Sequence, residues 1–277
     1  MTGPQSSTLS GNRLHLNHGP IDLIIWAEGM GAARAMMQAE ARFQSVLTEL
    51  VAELPKLRSP VDQPLQGQIA CDMARAVAAF RPAFITPMAA VAGAVADAVL
   101  AAMVKGTDLS RAYVNNGGDI AVHLAPGHEL TAAIVGTARA SVVLHTDDPA
   151  RGIASSGWGG RSFSRGIADA VTVVAQTAAM ADAAATMIAN AVDLPGHAAI
   201  QRQAAQTLQA DSDLGEILVT TAVGPLTAAE VAQALACGEA VARDFLARGL
   251  IAGAALFLHP QSRTLGRLQL AKEPCLV

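Results

Sequence analysis

The chain has 277 residues, of which 52% are hydrophobic and 15% charged, and its 19 basic and 23 acidic residues leave a net charge of −4. At this length about three quarters of the unfolded surface can be buried, so a full hydrophobic core is available. The absence of any long basic run or aromatic ladder excludes nucleic acid as the expected partner, while the charge-poor surface points to burial against further copies in a homo-oligomer.

Residues 1–19 read as a polar leader without the apolar stretch of a signal peptide. The run Ile21 to Ala27 reads as a buried strand, and Ala32 to Leu54 as an amphipathic helix stopping before Pro55. A loop-like stretch, Lys56 to Gly67, separates this helix from another over Gln68 to Phe80. An Ala-rich helix over Met88 to Val104 follows. With its lead-in from Pro87 this is the most hydrophobic part of the chain, but it carries Asp97 and falls short of a spanning segment, so the expected setting is the cytoplasm, with no membrane partner.

The middle of the chain is strand-rich. Arg111 to Asn115, Asp119 to Ala125, Glu129 to Gly136 and Ser141 to Thr146 are short runs punctuated by Gly, Pro or Asn, which predicts an antiparallel meander. Ala170 to Ala175 reads as a buried strand leading to a helix over Ala178 to Val192. Strand Ile217 to Ala222, a long helix over Thr227 to Arg248 closed by Gly249, and a last strand at Ala254 to Leu258 complete the pattern. Hairpins followed by helices argue for an α+β fold with antiparallel-rich mixed sheets and helices packed on them, organised as one domain over 1–277. Cys71, Cys237 and Cys275 are widely spaced and show no CxxC pair, so neither a zinc cluster nor a disulfide framework is expected.

Three constellations could carry chemistry. In Asn115-Asn116-Gly117-Gly118-Asp119, glycines without Cβ let backbone N–H groups approach a ligand, and Asp119 can accept hydrogen bonds; a plain hairpin turn explains the same residues. Ser155-Ser156-Gly157-Trp158-Gly159-Gly160-Arg161-Ser162 offers hydroxyls, backbone donors and the Arg161 guanidinium to phosphate oxygens, or is a surface loop. On the helix beginning at Ala178, Asp182, Thr186 and Asn190 fall at i, i+4 and i+8 and form a polar stripe on an apolar helix. A carboxylate and a hydroxyl there suit a hard cation such as Mg²⁺, while an acidic residue near a helix start also complements the helix dipole. His123 shares a strand face with Asp119, but a lone histidine is assigned no role.

Read in order, VNNGGDI (Val114 to Ile120), IASSG (Ile153 to Gly157) and ADAVTVVAQTAAMADAAAT (Ala168 to Thr186) resemble the core of the ApbE-like flavin transferase family. The resemblance covers about 86–192, and HGPIDL (His18 to Leu23) and TPMAAVAGAVAD (Thr86 to Asp97) look more like an uncharacterised cytoplasmic branch of that superfamily. Members take FAD, use Mg²⁺ on its pyrophosphate and transfer FMN to a Thr or Ser of an acceptor protein. By resemblance, Asp182 and Thr186 are the metal-binding pair, and Asn116, Gly117, Gly118, Asp119, Ser155, Ser156, Gly157 and Arg161 line the flavin nucleotide site. The chain departs from the pattern in two places. The family's His and its Asp-Pro-Arg-Thr-Gly run are absent from Trp158 to Ile167, and its Lys-Gly pair is replaced by Ala92-Gly93. The resemblance therefore implies either a Mg²⁺-dependent FAD-binding protein that transfers FMN or cleaves the pyrophosphate, or a non-catalytic nucleotide or small-molecule binding protein on the same fold; no catalytic residue is assigned.

Overall fold

Residues 5–18 of the polar leader carry regular structure. In the computed structural model, which describes residues 3–134, 140–268 and 271–272, they hold strands β1 (Gln5–Leu9) and β2 (Arg13–His18). The alternation in RLHLNH buries Leu14 and Leu16 on one face, as the two-residue period of a strand requires. The intervening turn passes through Gly11 and Asn12 at φ of 73° and 54°, a left-handed conformation that Gly and Asn tolerate best.

The chain continues through β3 (Ile21–Glu28), α1 (Ala32–Ala52), the short α2 (Leu54–Leu57), α3 (Gln68–Ala78), and a 3-10 turn (Pro87–Ala90) that runs into α4 (Val91–Val104). Next come β4 (Arg111–Asn116), β5 (Asp119–Leu124), β6 (Glu129–Ile134), β7 (Ala140–His145), β8 (Gly152–Ser156), β9 (Ala170–Ala175) and α5 (Ala178–Ala191). The last part holds β10 (Ile200–Ala204), α6 (Ala205–Leu208), β11 (Leu218–Val223), α7 (Ala228–Ala247), β12 (Gly253–Leu258), β13 (Gln261–Gly266) and β14 (Ala271–Lys272). This is the α+β class expected. The strand expected over Glu129 to Gly136 forms as β6, and its last two positions lie outside the described residues, as does Cys275.

Contacts group the chain into two compact units, the first made of Met1–Leu130, Leu144–Ala154 and Ala175–Asp182, the second of Thr131–Val143, Ser155–Val174 and Ala183–Val277. In the first unit the strand order is β1-β2-β3-β4-β5-β8, with antiparallel pairing at each step. Helix α1 buries Ala35, Ala39, Phe43, Val46 and Leu50, a one-sided stripe at helical spacing. Helix α4 buries most of its surface, including Ala94, Val95, Ala96, Val99 and Met103. Among the described residues, only Pro87–Val104 is long and apolar enough to cross a membrane by length and composition, and half of it is buried inside the chain. On the half-buried face of the sheet, Trp26 stacks on Tyr113 with ring centroids 5.9 Å apart, and the Arg111 guanidinium lies 5.5 Å over the Trp26 ring.

In the second unit β12 pairs antiparallel with both β9 and β13. Every residue of β9 and β12 is buried, which accounts for the unbroken apolar runs AVTVVA and GAALFL. Strands β10 and β11 pair separately, and β7 lies between β6 and β14. Helix α7 opens on a capping box in which the Thr227 hydroxyl accepts from the Glu230 N–H and Glu230 accepts from the Thr227 N–H. It closes on Gly249 at φ 69°.

One expectation is refined and one corrected here. Helix α1 does stop before Pro55, at Ala52, and Pro55 itself sits in the first turn of the short α2, where its missing N–H leaves no bond unmade. The four middle strands are not one meander: β4 and β8 occupy both edges of β5, so β6 and β7 are displaced into the separate sheet with β14.

Candidate functional site

The turn between β4 and β5 is a two-residue hairpin. Asn116 faces Asp119 across it, and the linking Gly117 and Gly118 have φ of 65° and 116°, the conformations such a tight hairpin demands. The Asn115 Oδ1 accepts from the Gly118 N–H at 2.8 Å. Asn116 is buried and donates from Nδ2 to the Ala92 carbonyl at 3.1 Å. The two glycines form a hairpin turn, and the turn also ties β4 to the first turn of α4 and delivers Asp119 beside it.

Asp182 reaches this place from α5. Its Oδ2 accepts from the Gly93 N–H at 3.0 Å, so the carboxylate does complement a helix start, but that of α4 and not of its own helix. Asp97 on α4 returns the favour: its two carboxylate oxygens accept from the Ala178 N–H at 3.1 Å and the Ala179 N–H at 2.9 Å, the first amides of α5. Each helix thus satisfies the orphan donors of the other. The crossing is tight, since a Cβ on Gly93 would lie 2.2 Å from the Ala178 carbonyl oxygen. Here the glycine that survives from the family's Lys-Gly pair has a packing explanation.

The electrostatics of this corner are dominated by missing water. Burial, and then the neighbouring charge of Asp119, pushes the Asp182 carboxyl well above the usual carboxylate range; the amides of Gly93 and Ala92 oppose the shift and Asp97 adds to it. Burial also pushes Asp97 up to about 6 against the pull of its two amide donors, with a small push from Asp72. The groups acting on Asp182 are two carboxylates and two amides, with no Lys, Arg or His among them. Asp97 is the residue that sequence reading missed as part of this corner; its signal was a single carboxylate inside an apolar helix.

The remaining candidates lie in the second unit. Ser155 and Thr172 share a hydrogen bond between hydroxyls at 2.8 Å. Gly157 is needed for backbone clearance, because a Cβ there would come within 2.3 Å of the Asp169 carbonyl oxygen. The loop that follows is clamped at its base, with the Trp158 N–H on the Ala168 carbonyl and the Asp169 carboxylate accepting from Trp158 Nε1 at 3.4 Å and from the His259 N–H at 2.7 Å. Its tip, Gly159 to Ser162 with Arg161, is exposed, while Ser156 is half-buried. One turn beyond Asp182 on α5, Thr186 is half-buried. Asn190, the third member of the stripe, accepts from the Arg165 N–H at 2.8 Å and from the Ser164 hydroxyl at 3.4 Å, so it serves to fix a loop. His123, expected to share a face with Asp119, has its Nε2 3.3 Å from the Leu109 carbonyl. Among the described residues no group of three or more His, Cys, Asp or Glu is arranged to hold a metal ion.

A family model described as AbpE bacteria matches residues 6–269. The chain belongs to that family. The ApbE-like resemblance drawn from three ordered motifs is thereby upheld, and the match extends well beyond the stretch that carried those motifs. Relatives include a UPF0280 protein of Methanopyrus kandleri, 36% identical over 204 residues that cover 65% of this chain and 75% of the relative. A UPF0280 protein of Methanothrix thermoacetophila is 42% identical over 113 residues, 39% of this chain and 46% of its own. The chain therefore spans three quarters of the first relative and about half of the second. Among solved structures, the apo form of the Pseudomonas stutzeri flavinyl transferase ApbE aligns over 96% of this chain and 95% of its own, with 12% identity and a TM-score of 0.42.

Proposed function

We propose that this protein binds a flavin nucleotide, FAD, together with Mg²⁺, and that Asp182 and Asp119 hold the ion, with Thr186 one helical turn on. The observation that carries the reading is a buried carboxylate, Asp182, fixed at the start of α4 beside a second one, Asp119; burial and then the charge of Asp119 hold the Asp182 carboxyl well above the usual carboxylate range. Such a pair is stabilised by a cation. Mg²⁺ is commonly held by one or two carboxylates plus substrate phosphates and waters, so the donor set fits it without a closed cage. When bound, the ion supplies charge neutralisation at a pyrophosphate. The residues of the chain hold and orient: Asp182 Oδ2 is fixed by the Gly93 amide, and the Gly117-Gly118 turn sets the position of Asp119. In the second unit we propose phosphate oxygens as the partners of the exposed Arg161 and its glycine-rich loop, an interaction that Arg161→Ala would weaken.

Transfer of FMN to a Thr or Ser of an acceptor protein, or hydrolysis of the FAD pyrophosphate, is the chemistry such a site would serve. One observation favours the second reading, a binding protein without turnover: no basic group acts on Asp182, and the family His and Lys are not present in the chain at their usual places. Titrating metal-stripped protein with FAD, with and without Mg²⁺, while following AMP release separates the readings. Mg²⁺-dependent binding with AMP release is expected of the enzyme, and binding alone of the module. FAD binding in Asp182→Asn that keeps wild-type Mg²⁺ dependence would sink the ligand assignment.

A further inference from the structure

The peptide between Ala92 and Gly93, in the first turn of α4, is held at both ends. Its carbonyl accepts from Asn116 Nδ2 at 3.1 Å, and its N–H donates to Asp182 Oδ2 at 3.0 Å. The first turn of a helix needs acceptors from outside for its N–H groups, and a donor on the carbonyl polarises the peptide and strengthens the bond its N–H makes. Asn116 is 5% exposed and stands opposite Asp119 in the β4–β5 ladder, so one side chain links the strand end that carries Asp119 to the amide that anchors Asp182. A second hold lies one turn away. Asp97 takes the Ala178 and Ala179 N–H groups with separate oxygens, at 3.1 and 2.9 Å. Gly93 and Asp97 are a turn apart on α4, as Ala178 and Asp182 are on α5, so the helices are pinned at two points about 6 Å apart, which opposes a roll of α5 about either one. All of these residues belong to the first unit.

We propose that Asn116 and Asp97 are positioning residues for Asp182: Asn116 fixes the peptide that holds its carboxylate, Asp97 fixes the helix that carries it, and neither is itself a ligand. The two holds are independent of any ion, and their consequence for metal binding rests on the reading of Asp182 as a Mg²⁺ ligand. Asn116 thereby has a different task from the nucleotide contact that the family resemblance implied, because its amide nitrogen is turned to the Ala92 carbonyl. Groups that orient a ligand without meeting the metal commonly account for about ten- to a hundredfold of its affinity.

Residue-resolved hydrogen exchange of the metal-free protein, joined to Mg²⁺ titrations in the presence of FAD, tests this. In Asn116→Ala and in Asp97→Ala the Gly93 amide should exchange about tenfold faster than in wild type, the Val99 amide further along α4 should be unchanged, and Mg²⁺ should bind about tenfold more weakly. Asp97→Asn keeps one acceptor oxygen and should recover part of both losses; it carries the test if Asp97→Ala does not fold. Thr227→Ala, which weakens a helix cap in the second unit, controls for lost stability and should leave Gly93 exchange and Mg²⁺ affinity at their wild-type values. Wild-type exchange at Gly93 in the Asn116 and Asp97 variants overturns the positioning role, whatever the metal does. A wild type that binds no Mg²⁺, with exchange at Gly93 still faster in the variants, sinks the ligand reading of Asp182 and leaves the two holds standing.

Discussion

Asp97 accepts two hydrogen bonds from the start of α5, yet it stands in a helix whose neighbours are almost all Ala and Val, and the loss of water governs its ionisation. With its folded value raised from 3.8 to about 6, the folded state binds this proton more tightly than the unfolded chain. The stability Asp97 contributes is therefore full below about pH 4 and is lost as pH rises through 6, a change of about 3 kcal/mol. Urea melts at several pH values should show wild type losing that much relative to Asp97→Asn between pH 3 and 7; parallel curves would refute the burial argument. Gly93→Ala forces a methyl into the Ala178 carbonyl, a backbone atom that cannot rotate away, and should cost at least about 3 kcal/mol by chemical denaturation. The polar stripe of Asp182, Thr186 and Asn190 was legible because a helix of Ala, Met and Ile makes any polar residue conspicuous. Which helix Asp182 would cap was not legible, since that depends on a crossing between segments some ninety positions apart.

Elements with strong local signals were read almost to the residue. Helix α7 was read from Thr227 to its closing Gly249, and β9 from an unbroken apolar run. Removing the cap should show how much of that boundary is chemistry: Thr227→Ala deletes one half of the capping box and should lower stability by about 1 kcal/mol in thermal melts. Among the strands that escaped are β2, whose alternating Leu14 and Leu16 lie inside a polar leader, and two without an apolar signal. In β1 the residues are Gln, Ser and Thr at an edge, and β10, IQRQA, alternates half-buried with exposed positions. Polar composition there is a property of position in the sheet, which neighbours in sequence do not encode. The same holds for the middle strands, where local turn signals were right and the pairing was decided by β8, brought in from beyond β7.

At the scale of the molecule, a family match over 6–269 says that motifs found in the middle of the chain belong to a pattern running nearly its whole length. If a cation joins Asp119 and Asp182, its affinity should rise with pH as the Asp182 carboxyl, held high by burial and by Asp119, gives up its proton; calorimetric Mg²⁺ titrations at pH 6 and 8 with FAD present would show the tighter binding at pH 8. The aromatic residues have a further use. The chain has two tryptophans and a single tyrosine, with Trp26 and Tyr113 in the first unit and Trp158 in the second. At a ring separation of 5.9 Å, light absorbed by Tyr113 is passed to Trp26 and re-emitted there, so in Trp158→Phe that sensitised emission reports on the first unit, while in Trp26→Phe direct indole emission reports on the second. The molecule carries its own pair of fluorophores, one for each unit, and comparing the two colours of its unfolding would count its cooperative bodies without any added label.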